Sequence, residues 1–504
     1  MTPPANQSPS LALLVAWLDA LGAPALEDLA RRYRDAAREG GATMRKPDGR
    51  AVPIPPLLTP EVLDEQQLAG MEANAHALVA GLSRLTAWLM SPRPETEPLR
   101  ARMFPAFGML EAEALRSTWR EAERLCTARV DYLVDEGGVP RALEVNATIP
   151  AMQGYSDIVA SAFVHEVGRV CGHGLRACEL LLDANGRNGD QLLASLLAHY
   201  QLLGGTGDEP RIAIVAREGD SQLGELGYLA ARWSLLGCET RILTPGELRL
   251  DGARLASAHF MPELVYRHVF ARRLEPDSDF ARACLRPSVY RILNPIASHL
   301  ELKGMLGLLS QAAAPGGDAL ATAIGLDDEV RREVSRSVPW TRLLVPGPAT
   351  GPGGEAIADL VATVAGEPER FVVKRSWDYG GKSVFLGLDH DAESAERAGE
   401  SLGGRGPTSW ADLVHAAAAD TRDIWVVQGL VRGARRRHLV ADEAGPAWKD
   451  LYVDLSVYTN LGVDVRPHGG VSRASQRRIV NLQGGGGLAP LIRAEVLDQL
   501  IGSR

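Results

Sequence analysis

A chain of 504 residues with a net charge of -9 and 45% hydrophobic residues can support several packed domains, and its acidic balance excludes a general nucleic-acid binder, which needs a basic face. The opening MTPPANQSPSLALLVAWLDALGAP has no basic residues ahead of its apolar run, nothing approaches the roughly 20 apolar residues of a membrane span, and five scattered cysteines make no disulfide framework. A cytoplasmic protein with no membrane and no nucleic-acid partner is therefore expected.

Residues 1–125 read as helical. LEDLARRYRDAAREG, VLDEQQLAGMEANAHALVAGLSRLTAWLM and EAEALRSTWREAERLC carry apolar residues at helical spacing with charges on the opposite face. The pattern changes near Arg129, where ARVDYLVDEGGVPRALEVNATIP predicts a strand, a turn at Asp135–Gly138 and a second strand. In RALEVN, Glu144 and Asn146 alternate with Leu143 and Val145, so an acid and an amide share one face. Such hard oxygen donors suit magnesium, which takes further ligands from water and substrate phosphates; a polar edge strand would look the same.

Helix is expected onward to about Tyr200. Within it, His165, Cys171, His173 and Cys178 match no common zinc spacing, and an amphipathic helix would bury the cysteines as small apolar residues. After the linker LGGTGDEP, the runs RIAIVAR, LGELGYLAARWSLLG and ETRIL predict a β-α-β unit, with PELVYRHVF as a further strand. Ser221 lies between strand and helix, but GDSQL departs from the G-x-S-x-G spacing of a hydrolase elbow.

Beyond Glu301 comes more helix, then the junction VPGPATGPGGEA and a strand-rich remainder: FVVK, SVFLG, DIWVVQGLV, LYVDLSVYT and RRIVNLQ. Only five residues of this arginine-rich chain are lysines, so each one is informative. Lysine supplies a compact point charge where arginine supplies a planar fork. Lys374 ends an apolar strand and is followed by Asp378, Gly380, Gly381 and Lys382, a hairpin in which glycines let main-chain N–H groups approach an anion and Asp378 adds a third metal oxygen. Lys303 is the third candidate. The glycine run in NLQGGGGLAP suits a flap closing over a reacting phosphate. Arg435–Arg437 read as a solvated turn.

Taken in order, RVDYL…ALEVNATIP, ELVYRHVF, LNPIASHLELKGMLGLL, VVKRSWDYGGKS, WVVQGLV and GGVSRAS…NLQGGGG resemble the eukaryotic-type glutathione synthetases and their relatives among circularly permuted ATP-grasp ligases. The resemblance covers most of the chain from about Arg129. It implies a mixed α+β, ATP-grasp architecture with circular permutation. A helical region would span 1–125, the first part of the core with the metal-ligand strand 126–205, an inserted α/β substrate domain 206–298, and the nucleotide-binding subdomains and lid 299–504.

It also implies roles. Glu144, Asn146 and Asp378 match the magnesium ligands, with glutamate more usual at the last. Lys303 and Lys374 match the nucleotide-phosphate lysines, and Gly380 and Gly381 the first glycine loop, with Lys382 beside it. Val426, Val427 and Gln428 match the hinge whose main chain reads adenine, and Gly484, Gly485, Gly486 and Gly487 the lid. Arg129, Arg267 and Arg473 match substrate-binding arginines, of which Arg129 and Arg473, with Lys374, would act on the reacting groups. ATP and Mg2+ are the implied cofactors, small-molecule carboxylate and amine the substrates, and a homodimer the assembly. Two departures point away from glutathione synthesis itself: where that pattern has small hydroxyl residues the chain reads ATIPAMQGY, with proline and methionine, and Lys382 and Ser383 stand where asparagines are usual. The expected activity is an ATP-dependent carboxylate–amine ligase working through an acyl phosphate, with a phosphotransferase on the same fold and a non-catalytic nucleotide binder as alternatives.

Overall fold

The computed structural model describes residues 9–502 except 47, 253, 379, 405, 407–408, 467–468 and 483–484. Its architecture is mixed α and β, and three sheets organise it.

A six-stranded antiparallel sheet runs in the order Gly487–Ala489, Gly470–Ser475, Gly445–Asn460, Thr127–Val134, Pro140–Asn146, with Arg435–Asp442 pairing the first half of the long strand Gly445–Asn460. Register decides which side chains meet. Arg129 lies opposite Asn146 and Asp131 opposite Glu144, while Asp454 lies opposite both Leu133 and Arg473. Opposed residues in antiparallel strands project to the same side, so Glu144, Asn146, Arg129, Asp131, Asp454 and Arg473 share one face.

A four-stranded antiparallel sheet runs Thr341–Leu343, Trp425–Gly429, Phe371–Arg375, Val384–Leu386. Phe371, Val373, Phe385 and Val427 enter an apolar core beneath the helices Leu360–Gly366 and Trp410–Ala419. By the two-residue period of a strand, Val372 and Lys374 turn to the other face. The third sheet is parallel, in the order Ile292–Leu293, Leu264–His268, Ile212–Ala216, Thr240–Leu243. Ala213 and Val215 feed one core and Ile212, Ile214 and Ala216 another, which is why IAIVA is apolar throughout.

The helix Glu65–Leu89 packs over the long strand and the helix Asp328–Ser337. Asp64 caps it: the Gln67 N–H donates to the Asp64 carboxylate at 2.7 Å and the Asp64 N–H to the Gln67 side chain at 3.0 Å. No single helix among the described residues is long and apolar enough to cross a membrane.

Three expectations change. Arg435–Arg437 are not a turn but begin the strand Arg435–Asp442. Residues 1–125 are not wholly helical: Thr43–Arg45 pairs with Ala51–Pro53, and Glu61–Leu63 pairs in parallel with Leu491–Arg493, so this region is stitched to the end of the chain. RRIVNL, residues 477–482, is not a strand. Arg473 and Leu488 are already paired across adjacent strands, and residues 476–482 belong to the connection between them.

Candidate functional site

The polar face of the six-stranded sheet and the Val372–Lys374 face of the four-stranded sheet enclose a cavity of about 140 Å³. Glu144, Lys374, Gly380, Gly381, Gln428 and Arg473 line it, drawn from segments more than 300 positions apart. Asp131, Tyr452, Asp454 and the connection Arg478–Asn481 complete the wall.

Lys374 is buried, and its ammonium donates to the Gln428 side-chain oxygen at 2.7 Å and more weakly to the Leu143 carbonyl at 3.4 Å. Burial pulls it down to about 8, with Glu144 opposing and Lys303 adding to the shift. Lys303 opens the helix Lys303–Ala313. Its ammonium donates to the Asp378 carbonyl at 2.8 Å and lies 3.6 Å from the Glu144 carboxylate. Glu144 and Asp378 thus meet on one cation although 234 positions separate them in the chain.

The Asp378 carboxylate accepts the Ser383 hydroxyl. The Asn146 amide nitrogen is buried with no hydrogen-bond partner. Among the described residues, no three His, Cys, Asp or Glu side chains gather to hold a metal by themselves. Glu301, half-buried, shapes the turn after Asn146, accepting the Ala147 N–H at 2.7 Å and the Thr148 N–H at 2.5 Å. One short stretch, Glu301-Leu302-Lys303, therefore anchors both the Glu144 strand and the Asp378 loop.

Two of the three arginines meet on Asp131 and the third lies elsewhere. Arg129 forms a fork on Asp131, at 2.6 and 3.0 Å, and donates to the carbonyls of Pro150 at 2.7 Å and Ala151 at 3.2 Å. Arg473 reaches Asp131 at 3.0 Å and Asp454 at 2.5 Å. For Asp131 burial works to raise the pKa, but the two guanidinium groups outweigh it and hold the carboxyl well below its usual range. For Asp454 burial wins despite Arg473, and its carboxyl rises to about 6. Arg267 is fully buried and away from the cavity lining, spending its donors on the carbonyls of Asn294, Val269 and Pro295.

Beside Arg129 the chain carries two non-glycine residues in the left-handed region, Ala151 at φ 28° and Met152 at φ 81°. The Tyr458 hydroxyl holds the Ala151 carbonyl at 3.1 Å, and Glu225 accepts the Gly154 N–H at 3.2 Å. This is the stretch ATIPAMQGY, and converging donors hold its strained turn.

Gly380 and Gly381 adopt φ of 68° and 71°, a region where a side chain would be strained. A Cβ on Gly381 would stand 2.9 Å from the Ile479 side chain, so the first glycine loop meets the 476–482 connection directly. Lys382 is exposed and does not line the cavity. Gly484 lies outside the described residues. Gly485 has φ 91°, Gly486 packs on the Asn481 carbonyl, and Gly487 begins a strand against the Pro55 carbonyl. Val426 and Val427 turn into two different apolar cores, and residues 426–428 are paired with Thr341–Leu343 on one side and Val372–Lys374 on the other. Their main chain belongs to the sheet. Leu430 and Val431, just beyond, line the cavity.

Sequence reasoning missed Asp131, Asp454, Tyr452, Arg478 and Asn481. Asp131 carried a signal: with Arg129 it alternates on the strand opposite Glu144 and Asn146.

No protein-family model matches the chain, and no curated protein does. Among solved structures, the fold is similar to that of a glutathione synthetase-like effector from Globodera pallida in its apo form, at 13% identity and a TM-score of 0.61, covering 94% of this chain and 98% of that one. The chain has a glutathione synthetase-like fold.

Proposed function

We propose that the chain is an ATP-dependent ligase of the circularly permuted ATP-grasp kind, joining a carboxylate to an amine through an acyl phosphate. The observation that carries this reading is the convergence of Lys374, Glu144 and the Gly380–Gly381 turn on one cavity between two sheets, with Lys303, outside the lining, bridging Glu144 and the Asp378 carbonyl. The similarity in fold to a glutathione synthetase-like protein supports it.

In this reading the apolar wall of Leu430, Val431 and Leu386 takes the adenine, and Lys374 and Lys303 hold the phosphates. Glu144 and Asn146 would hold Mg2+. Their donors are oxygens, and the unpartnered amide of Asn146 is the kind of buried group such a ligand satisfies once its oxygen is turned inward. When bound, the ion would offset phosphate charge as the phosphoryl group transfers. The acceptor carboxylate attacks the γ-phosphorus and ADP departs; the amine then attacks the acyl carbon and releases phosphate. The meeting of Gly381 with Ile479 closes the mouth against water, which would hydrolyse the acyl phosphate.

One observation favours a second reading. Arg129 and Arg473, the groups expected to hold the acceptor carboxylate, are already neutralised by Asp131 and Asp454. An acceptor other than a carboxylate, phosphorylated and released, fits that arrangement. A screen of amino acids, small peptides and polyamines for ADP release, with mass spectrometry of products, tests both. Amide plus free phosphate supports the ligase, a phosphorylated product the phosphotransferase, and nucleotide binding without turnover across the screen counts against both.

A further inference from the structure

Gln428 belongs by resemblance to a main-chain hinge, yet its main chain lies inside the sheet, and its side chain has a different task. Thr341, Gln428 and Val372 are cross-strand neighbours on three adjacent strands, and Lys374 follows two residues along on the same face. The Thr341 hydroxyl donates to the Pro339 carbonyl at 2.7 Å. Its single proton is then used, so toward Gln428 it can only accept. The Gln428 amide nitrogen donates to it at 3.0 Å, which leaves the amide oxygen directed at Lys374, whose ammonium donates to it at 2.7 Å.

The choice of partner matters. An ammonium has three donors. One goes to Gln428, one weakly to the Leu143 carbonyl, and the third is directed by those two. A neutral amide orients the cation without cancelling its charge, whereas a carboxylate in the same place would compete with any phosphate. The cavity wall includes Lys374 and Gln428 but not Thr341.

We propose that Thr341 and Gln428 form a relay that aims the Lys374 ammonium into the cavity, making Gln428 a positioning residue through its side chain and giving Thr341 control of polyphosphate binding without touching it. The inference rests on the nucleotide reading above. It adds that the strength of triphosphate binding depends on a hydroxyl two hydrogen bonds away from the ammonium that meets the ligand.

The test is calorimetric binding of a non-hydrolysable ATP analogue and of adenosine to the full chain near pH 7. Thr341→Val removes the acceptor, frees the Gln428 amide to turn its NH2 toward the ammonium, and should weaken the triphosphate analogue by roughly five- to tenfold, the scale of one hydrogen bond. Adenosine affinity should not change, and Thr341→Ser should restore the wild-type value. Should Thr341→Val fail to fold, the near-isosteric Gln428→Glu serves instead: it pairs Lys374 with a carboxylate and should weaken the analogue selectively. Equal affinity of the variant and the wild type for the analogue, or equal losses for analogue and adenosine, would overturn the relay while leaving the nucleotide reading intact. A wild-type chain that binds neither ligand would overturn both.

Discussion

The two halves of the cavity treat buried cations in opposite ways. On the four-stranded sheet Lys374 is held by an amide and a carbonyl, and burial pulls it toward the neutral form. On the six-stranded sheet Arg129 and Arg473 are held by Asp131 and Asp454, which keep them firmly charged. On the proposed reading the first arrangement keeps a cation in reserve for an incoming anion. The second locks opposite charges together and fixes strand register. The difference teaches that a buried basic residue is marked for binding by what its partner leaves uncompensated, not by its own charge.

Asp131→Asn gives the largest expected effect, because it leaves the buried Arg129 guanidinium with no carboxylate partner and Arg473 with Asp454 alone. Breaking a buried ion-pair network in this way costs roughly 3–5 kcal/mol, read as a lower urea midpoint at unchanged m-value. If stability were unchanged, the arginine half would be no structural lock and the contrast would fail.

Lys374→Met should act the other way. On the nucleotide reading it removes the main phosphate partner, so ATP-analogue affinity should fall by roughly a hundredfold, about 2.7 kcal/mol on the scale of charge-assisted contacts. Stability should hold or rise, since a buried cation gives way to an apolar side chain of similar length. Calorimetry and chemical unfolding on the same sample separate the two. For wild type, binding should also weaken as pH rises through about 8, where Lys374 loses its proton in the free protein.

Much of this geometry could be read before any coordinates. Alternation in RALEVN puts Glu144 and Asn146 on one face, and FVVK…GG…SVFLG folds as the hairpin it resembles, with Lys374 opposite Val384. The IAIVA strand and its β-α-β unit are equally local patterns. What escaped depends on distant register. Asp454 lies 325 positions from Arg129, and only the pairing of Gly445–Asn460 with both neighbours brings them into one network. Arg267 looked like a ligand-binding arginine because the sequence does not reveal the carbonyls of residues 294–295 that capture it. RRIVNLQ has strand composition, but it is needed to connect strands already paired.

Glu225 tests the strained turn beside Arg129. It is fully buried under the Met152–Gly154 turn, and burial raises its carboxyl to about 8, against the opposing hydrogen bonds from the Gly154 and Met152 N–H groups. A carboxyl with a raised folded-state pKa binds its proton more tightly folded than unfolded. Its stabilisation is present below the ordinary value near 4.5 and is lost as pH climbs toward about 8. Unfolding free energy should therefore decline across that window by up to roughly 1.4 kcal/mol per pH unit. Glu225→Gln should flatten the decline; an unchanged profile would show that Glu225 is not the group responsible.

The smallest effect tests where the halves meet. Gly381→Ala places a methyl group 2.9 Å from Ile479 at a φ of 71°, so it carries both a backbone penalty of about 1 kcal/mol and a clash with the 476–482 connection. Both fall on the loop contact in the cavity wall, and neither touches the Asp131 network or Lys374. Global stability should change little, while the off-rate of an ATP analogue in stopped-flow should rise severalfold with the on-rate nearly unchanged. Ile479→Ala in the same background should recover only the part due to the clash, which separates steric contact from backbone strain. A double variant with a fully restored off-rate would assign the whole effect to the clash, and one with no recovery would place it in the glycine turn alone.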